Sequence, residues 1–268
     1  MQNFNYHTHT YRCKHADNNM SDEDYVLEFI KKGFKKIAFT DHAPEKEIID
    51  TRKRMRMDYE EVYDYLESIK YLKEKYKNVI EIESGFEIEY LPGQEDNINE
   101  LKGLVDKMVL GQHFIYGEHH GLKIFRYQKF NEEDLLKYAN YIKKAIELNI
   151  PDIIVHPDIY MLSSDTFGNV ERKVAEIICE SASKYNIPLE INLTEASMYL
   201  SKLKDRIDYP CKEFWEVVSN YDIRVLYGVD AHYKEQIDNY EDSIDLVNKV
   251  IGEETIKKLK FIKNAGEL

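Results

Sequence analysis

The stretch Lys36-Ile-Ala-Phe-Thr-Asp-His42 joins a short apolar run to a histidine that follows it closely. Short runs of apolar, β-branched and aromatic residues are typical of buried strands, and we predict a strand over Lys36–Thr40. The same kind of run recurs along the chain. These runs predict seven strands, at Phe4–Tyr6, Lys36–Thr40, Val79–Glu83, Met108–Gln112, Asp152–Val155, Leu189–Asn192 and Arg224–Tyr227.

Longer amphipathic stretches separate the predicted strands. The first begins with Ser21 and three acidic residues, a signal for a helix N-terminus, and Gly33 ends it. The predicted helices are Tyr25–Lys32, Asp58–Lys77, Asn131–Leu148, Asn169–Tyr185, Pro210–Asn220, Asp242–Ile251 and Glu253–Phe261. Strands that alternate with helices in this way favour a mainly parallel sheet.

The chain of 268 residues contains no Pro/Gly/Ser-rich linker and no shift in composition. Seven strand and helix units therefore predict an α/β fold, a distorted (β/α)7 barrel formed as a single domain over residues 1–268, since eight units are usual in such barrels. A doubly wound open sheet is the competing architecture. That fold usually carries a Gly-rich turn after its first strand, and this sequence has none there.

The composition excludes several classes of protein. Hydrophobic residues make up 43% of the chain, which is too much for a disordered protein. A net charge of −13 repels a phosphate backbone, so we expect no nucleic acid polymer as a partner. Cys13, Cys179 and Cys211 are widely spaced without a C-x-x-C, which fits a reducing compartment. Because no apolar run approaches ~20 residues, we expect a cytoplasmic protein and no membrane partner.

Histidines follow most of the predicted strands. They are His7 and His9 after the first strand, His42 after the second, His113 after the fourth, His156 after the fifth and His232 after the seventh. Two carboxylates obey the same rule, Glu87 after the third strand and Asp230 after the seventh. Because the carboxyl ends of parallel strands open on one face of a barrel, we expect these side chains to converge there.

His7-Thr8-His9 and Asp230-Ala231-His232 each place two ligand-type side chains at i and i+2, on one side of an extended backbone. Imidazole and carboxylate ligands together suit zinc, iron or manganese. His15, in the loop after the first strand, is either a further ligand or a solvated surface residue. With it the set has nine donors, which suit two or three ions. We read His119 and His120 as surface residues first and as part of a substrate lid second.

At these residues the sequence resembles the PHP (polymerase and histidinol phosphatase) family, and within it the histidinol-phosphate phosphatase branch. The matching stretches are YHTHTYRCKHA at 6–16, FTDHAP at 39–44, RMRM at 54–57, GFEIEYLPG at 85–93, LGQHFI at 110–115, VHPD at 155–158, LEINL at 189–193 and GVDAH at 228–232. They occur in the family's order and span nearly the whole chain.

The resemblance implies a distorted (β/α)7 barrel that carries three divalent transition-metal ions, zinc, iron or manganese. His7, His9, Glu87 and Asp230 would hold one ion. Glu87 would bridge to a second ion that His113 and His156 also hold. The third ion would be held by His15, His42 and His232.

The resemblance also implies a metal-dependent phosphomonoesterase, specifically a histidinol-phosphate phosphatase of histidine biosynthesis. A water shared between metal ions loses a proton near neutral pH, and the hydroxide that bridges them would be the nucleophile. Asp230 would orient this water, and Asp230 or His232 would influence protonation of the leaving alcohol. The alternatives are another small phosphate ester, such as a nucleotide or sugar phosphate, an amidohydrolase, or an accessory metal-bearing domain without activity.

Basic residues after His42 are the candidate contacts to the phosphate of a small monoester substrate. They are Arg52, Lys53, Arg54 and Arg56, of which we single out Arg54 and Arg56. A solvated charged loop is the alternative interpretation of this segment. The loops after His156 and Asn192 depart from the family's pattern, because family members often place basic residues there.

Overall fold

The fold is built on short parallel strands. The computed structural model describes residues 1–51, 55–117, 121–125 and 128–268. The strands are β1 (Phe4–Asn5), β2 (Lys36–His42), β3 (Glu81–Ile88), β4 (Lys107–Leu110), β5 (Phe114–Tyr116), β6 (Leu122–Ile124), β7 (Ile153–Ile154), β8 (Leu189–Asn192), β9 (Arg224–Gly228) and β10 (Lys260–Phe261).

Eight strands form one parallel sheet in the order β1-β2-β3-β4-β7-β8-β9-β10. All seven predicted strands are in this sheet, which confirms the α/β barrel class. The prediction of a helix as far as Phe261 is wrong, because Lys260 and Phe261 pair with Arg224 and Val225 as an eighth strand. The antiparallel hairpin of β5 and β6 lies outside the sheet.

The sheet curls until its first strand meets the end of β9. A parallel bridge joins Thr8 to Ala231, where His9 N donates to Ala231 O at 2.9 Å and Ala231 N donates to His7 O at 3.2 Å. β10 pairs only with the first residues of β9, Arg224 and Val225. The bridge from Thr8 to Ala231, beyond the other end of β9, is therefore not blocked by β10. The seven predicted strands therefore form the ring, and the ring closes at the edge that carries the histidines.

Helices surround the ring. They are α1 (Asp22–Lys31), α2 (Lys46–Thr51), α3 (Val62–Tyr76), α4 (Glu95–Lys102), α5 (Glu132–Glu147), α6 (Asn169–Tyr185), α7 (Thr194–Leu200), α8 (Lys212–Val218), α9 (Lys234–Asp238), α10 (Tyr240–Ile251) and α11 (Glu253–Lys258). Ser21 and Asn131 form capping boxes that start α1 and α5, as their sequence signals predict. Within the described part of the chain, no helix is long and apolar enough to cross a membrane.

Alternation along the strands divides the core into two layers. The outward residues, such as Ile37, Phe39 and Leu110, pack against the helices in the main hydrophobic cluster. The inward residues Ala38 and Val109 belong to a smaller cluster inside the ring. This second cluster fills the interior of the ring below the carboxyl ends of the strands. The polar side chains at that edge therefore pack on an apolar layer.

Candidate metal centre

The ring brings the predicted donors together at its carboxyl edge. We call His7, His9, Glu87, His156 and Asp230 the inner group, and each is at most 7% exposed. Asp230 Oδ1 lies 3.4 Å from His7 Nε2 and 3.1 Å from His9 Nε2. Glu87 Oε2 lies 3.3 Å from His9 Nε2, and Glu87 Oε1 lies 3.0 Å from His156 Nε2. The five side chains thus face one another across the ring.

His15, His42 and His232, which we call the outer group, lie nearer the solvent. His15 Nε2 and His232 Nε2 are 3.0 Å apart, and the His15 and His42 ring centroids are 5.2 Å apart. The two groups touch, because His42 Nδ1 lies 3.1 Å from Glu87 Oε2. The structure therefore places His15 with the candidate ligands rather than alone on the surface.

His113 lies beside the inner group. Its ring centroid is 4.7 Å from that of His156, and its Nε2 lies 3.9 Å from Glu87 Oε1. The nine sequence-predicted donors therefore all reach one edge of the barrel.

Unpaired polar atoms provide a test of whether this cluster suits metal ions. Buried nitrogens and oxygens normally have hydrogen-bond partners. Seven buried atoms in this cluster have none within the described part of the chain: His7 Nε2, His9 Nδ1, His9 Nε2, His42 Nδ1, His156 Nδ1, Glu87 Oε2 and Asp230 Oδ1. Most of them are directed at other donors of the cluster, in triads such as His7, His9 and Asp230 or His15, His42 and His232. Such a set of nitrogen and carboxylate donors fits divalent transition-metal ions.

Local backbone geometry holds two of these side chains in place. His156 and Asp230 have positive φ angles of 32° and 50°, a conformation that costs free energy for residues other than glycine. Two glycines leave room for the carboxylates, since a Cβ at Gly111 would collide with Glu87 and a Cβ at Gly228 would collide with Glu190. Packing of this cluster therefore depends on two strained backbone positions and on two glycines.

Glu190 is a residue of the site that the sequence reasoning did not single out. It is 1% exposed, and its Oε2 lies 2.9 Å from His7 Nδ1. Asn192, two residues later on β8, donates to Asp230 Oδ2 at 3.1 Å, and Thr194 Oγ1 donates to the same oxygen at 3.0 Å. One sequence signal could have identified Glu190. Glu190 and Asn192 are polar residues at alternate positions of a buried strand, so both side chains must point into the ring.

The electrostatics keep the carboxylates ionised. Burial raises the pKa of Glu87, but His42 and His7 beside it outweigh burial and hold this pKa well below its usual value. The pKa of Asp230 is low for the same reason, with His7 as the strongest opposing group. Part of the His15 side chain is exposed, but its ring is desolvated by the surrounding groups, and this desolvation and the neighbouring His232 lower the pKa of His15 to about 3. The cluster therefore offers charged oxygens and, in His15, a neutral imidazole, the forms that bind metals.

A cavity of about 710 Å³ opens above the donors. Its polar floor includes Glu87, Asp230 and His232, and two polar residues of α7, Thr194 and Ser197, line one side. The rest of the wall is mainly apolar and includes Met55, Phe114, Ile124, Phe125, Ile159, Leu162, Met198 and Leu203. The arrangement suits a ligand with a polar end on the donors and a less polar body.

The structure describes only one of the four basic residues that were predicted to contact a phosphate. Arg56 lines the cavity, but it is 2% exposed and forms ion pairs with Glu45 and Glu89 at 2.8 and 2.6 Å. Arg52, Lys53 and Arg54 lie outside the described residues, as do His119 and His120. The contact of either arginine with a phosphate therefore stays a prediction.

Comparison with known sequences decides the family. The PHP domain profile matches residues 5–194, well over half of the chain. The chain belongs to the PHP family. The matched residues include seven of the nine candidate donors, all except Asp230 and His232, and the match agrees with the curled parallel sheet that carries them.

Curated relatives of this PHP protein carry related names. A histidinol-phosphatase of Bacillus subtilis is 32% identical over 43% of this chain and 45% of its own, so that alignment spans less than half of the relative. A probable histidinol-phosphatase of Deinococcus radiodurans is 20% identical over 92% of this chain and 93% of its own.

Solved structures share the fold. A candidate histidinol phosphatase from Listeria monocytogenes superimposes with a TM-score of 0.74 at 23% identity, over 90% of this chain and 99% of its own. The histidinol phosphate phosphatase of Lactococcus lactis, solved with zinc, L-histidinol and phosphate, has a TM-score of 0.61 at 17% identity, over 91% of this chain and 93% of its own.

Proposed function

We propose that this PHP protein is a metal-dependent phosphomonoesterase that hydrolyses histidinol phosphate. One observation carries the proposal: unpaired buried nitrogens and carboxylate oxygens converge on the floor of an open cavity. The names of the curated relatives support histidinol phosphate over a nucleotide or sugar phosphate.

The donor groups suggest how three ions would be held. His7, His9 and Asp230 would hold one ion together with Glu87, and Glu87 would be shared with a second ion at His113 and His156. His15, His42 and His232 would hold the third. Zinc, iron and manganese all suit this mixture of imidazole and carboxylate ligands. When bound, such ions lower the pKa of water and neutralise the charge of phosphate oxygens.

The protein's own groups orient the reaction. Asn192 and Thr194 occupy Asp230 Oδ2, which leaves Oδ1 directed at the inner group and able to orient the attacking water. His232 lies on the cavity side of the centre, where it can influence protonation of the leaving alcohol. The apolar wall excludes water from the alcohol portion of the substrate. Asp230 and His232 are therefore the proposed catalytic residues.

A phosphatase screen tests the proposal. The full-length protein, freed of metal and then loaded separately with zinc, manganese or iron, is assayed with histidinol phosphate, nucleotide monophosphates and sugar phosphates. We expect the highest kcat/KM with histidinol phosphate and no activity before metal is added. A preference for a nucleotide or sugar phosphate would overturn the substrate, and activity without any metal would overturn the mechanism.

A further inference from the structure

Arg56 lies in a buried chain of charged groups that leads to His113. We propose that Arg56 is a positioning residue: it holds Glu89 in place, and Glu89 orients His113 toward the metal centre. This inference rests on the proposed function only in taking His113 to hold an ion. It assigns Arg56 a role other than phosphate contact.

The contacts form a continuous path. Arg56 Nη2 donates to Glu89 Oε1 at 2.6 Å, and the same oxygen lies 2.8 Å from His113 Nδ1. Glu89 Oε2 accepts the backbone N–H groups of His113 at 2.5 Å and Phe114 at 3.1 Å. With Nδ1 bound to a carboxylate, His113 presents Nε2 to Glu87. A carboxylate behind the far nitrogen is the usual way in which a metal-binding histidine is oriented.

Glu45 completes the chain on the other side of Arg56. Arg56 Nη1 donates to Glu45 Oε2 at 2.8 Å, and that oxygen also accepts the backbone N–H of Glu89 at 2.9 Å. The two carboxylates are 1% and 0% exposed, and Arg56 is 2% exposed. Without Arg56, two buried carboxylates would lose their shared cation, which is a strongly unfavourable arrangement.

The same contacts argue against phosphate binding by Arg56. Both terminal nitrogens already donate to carboxyl groups, and the side chain is only 2% exposed. An incoming phosphate would meet Glu45 and Glu89 as well as Arg56. Nη1 and Nη2 are thus both used within the protein, where the planar guanidinium bridges Glu45 and Glu89, while Nε has no hydrogen-bond partner among the described residues.

A zinc titration of metal-free protein tests the proposal without using catalysis. Zinc affinity is measured in competition with a chromophoric chelator for the wild type, R56M, H113A and the double variant. We expect R56M to weaken one zinc site by about 10- to 100-fold, the usual cost of losing such an orienting group. In the H113A background R56M should add almost nothing, because both changes act on the same ligand.

The control is K204M, which removes the cation beside another buried carboxylate, Glu195. It should leave every zinc site unchanged. If R56M does not fold, as judged by circular dichroism, R56K replaces it, since a lysine keeps the charge but not the planar pair of nitrogens that fits between Glu45 and Glu89, and it should show a smaller loss at the same site.

Two results would overturn the proposal. One is zinc affinity in R56M, or in R56K where R56M does not fold, that matches the wild type. The other is an equal effect of the Arg56 variant in the presence and absence of His113. A raised KM for p-nitrophenyl phosphate with unchanged zinc titration would assign Arg56 to phosphate binding instead. Because the titration uses no substrate, failure to hydrolyse histidinol phosphate does not affect it.

Discussion

The inner and outer groups use the same imidazole chemistry in different surroundings. The inner group is buried, contains two carboxylates and has Glu190 behind His7. The outer group consists of three histidines, of which His15 is exposed. Backbone carbonyls lie behind two of them: Cys13 O is 2.8 Å from His15 Nδ1, and Asp230 O is 3.1 Å from His232 Nδ1. Negative charge and burial strengthen metal binding, so the difference predicts tightly held inner ions and an outer ion that exchanges more easily.

Stepwise removal of metal is the most severe test of this comparison. We expect freshly purified protein to carry more than one transition-metal ion per chain, and prolonged chelation to abolish phosphatase activity completely. The outer ion should leave first, so elemental analysis over time should show loss in steps. H15A should lack the ion that leaves first and keep the others. At most one ion per chain in unchelated protein would contradict a multinuclear centre.

Glu87→Gln should have the next largest effect. In the proposed centre the Glu87 carboxylate is shared by two ions, and an amide cannot supply the same charge to both. We expect kcat to fall by more than about 100-fold at saturating metal, with a much smaller change in the free energy of unfolding. Steady-state kinetics and thermal unfolding measure the two effects. Glu83→Gln, four residues earlier on β3 and paired with Lys36, is the control and should retain activity. Activity of Glu87→Gln within a few-fold of wild type would exclude a bridging role.

Glu190→Gln sharpens the comparison, since it removes the charge behind the inner group without removing a ligand. We expect about 10- to 100-fold weaker metal affinity or lower activity. The matched control is Glu195→Gln, which changes another buried glutamate whose partners are Lys204 and the backbone of Asp208 and Tyr209. Equal metal affinity in the two variants would show that Glu190 has no influence on His7.

The smallest effect should come from the apolar wall. Met198→Ala removes a cavity-lining side chain on α7 and should raise KM for histidinol phosphate by about three- to ten-fold, with kcat and metal content unchanged. Tyr199→Ala, one residue later and directed to solvent at 43% exposure, is the control. A fall in kcat at constant KM would place Met198 in the chemistry of the site rather than in substrate binding.

Some elements were predictable because their signals are local. The run before His42 and the capping residues Ser21 and Asn131 act within a few residues, and β2, α1 and α5 formed where they indicate. The predicted end of the last helix was too late in the chain, because β10 forms by pairing with β9, a strand more than thirty residues away.

The sequence by itself determined which donors meet. Each of the nine follows or ends a predicted strand or lies in the next loop, and parallel strands in a ring must present their carboxyl ends together. What supports those donors was decided only by the tertiary structure. Glu190 contacts His7, which lies 183 residues earlier in the chain. Glu89 contacts both Arg56 and His113, which come from different segments of the chain. Such contacts depend on strand register and on which side chains share the ring interior, and neither is encoded in any one short stretch.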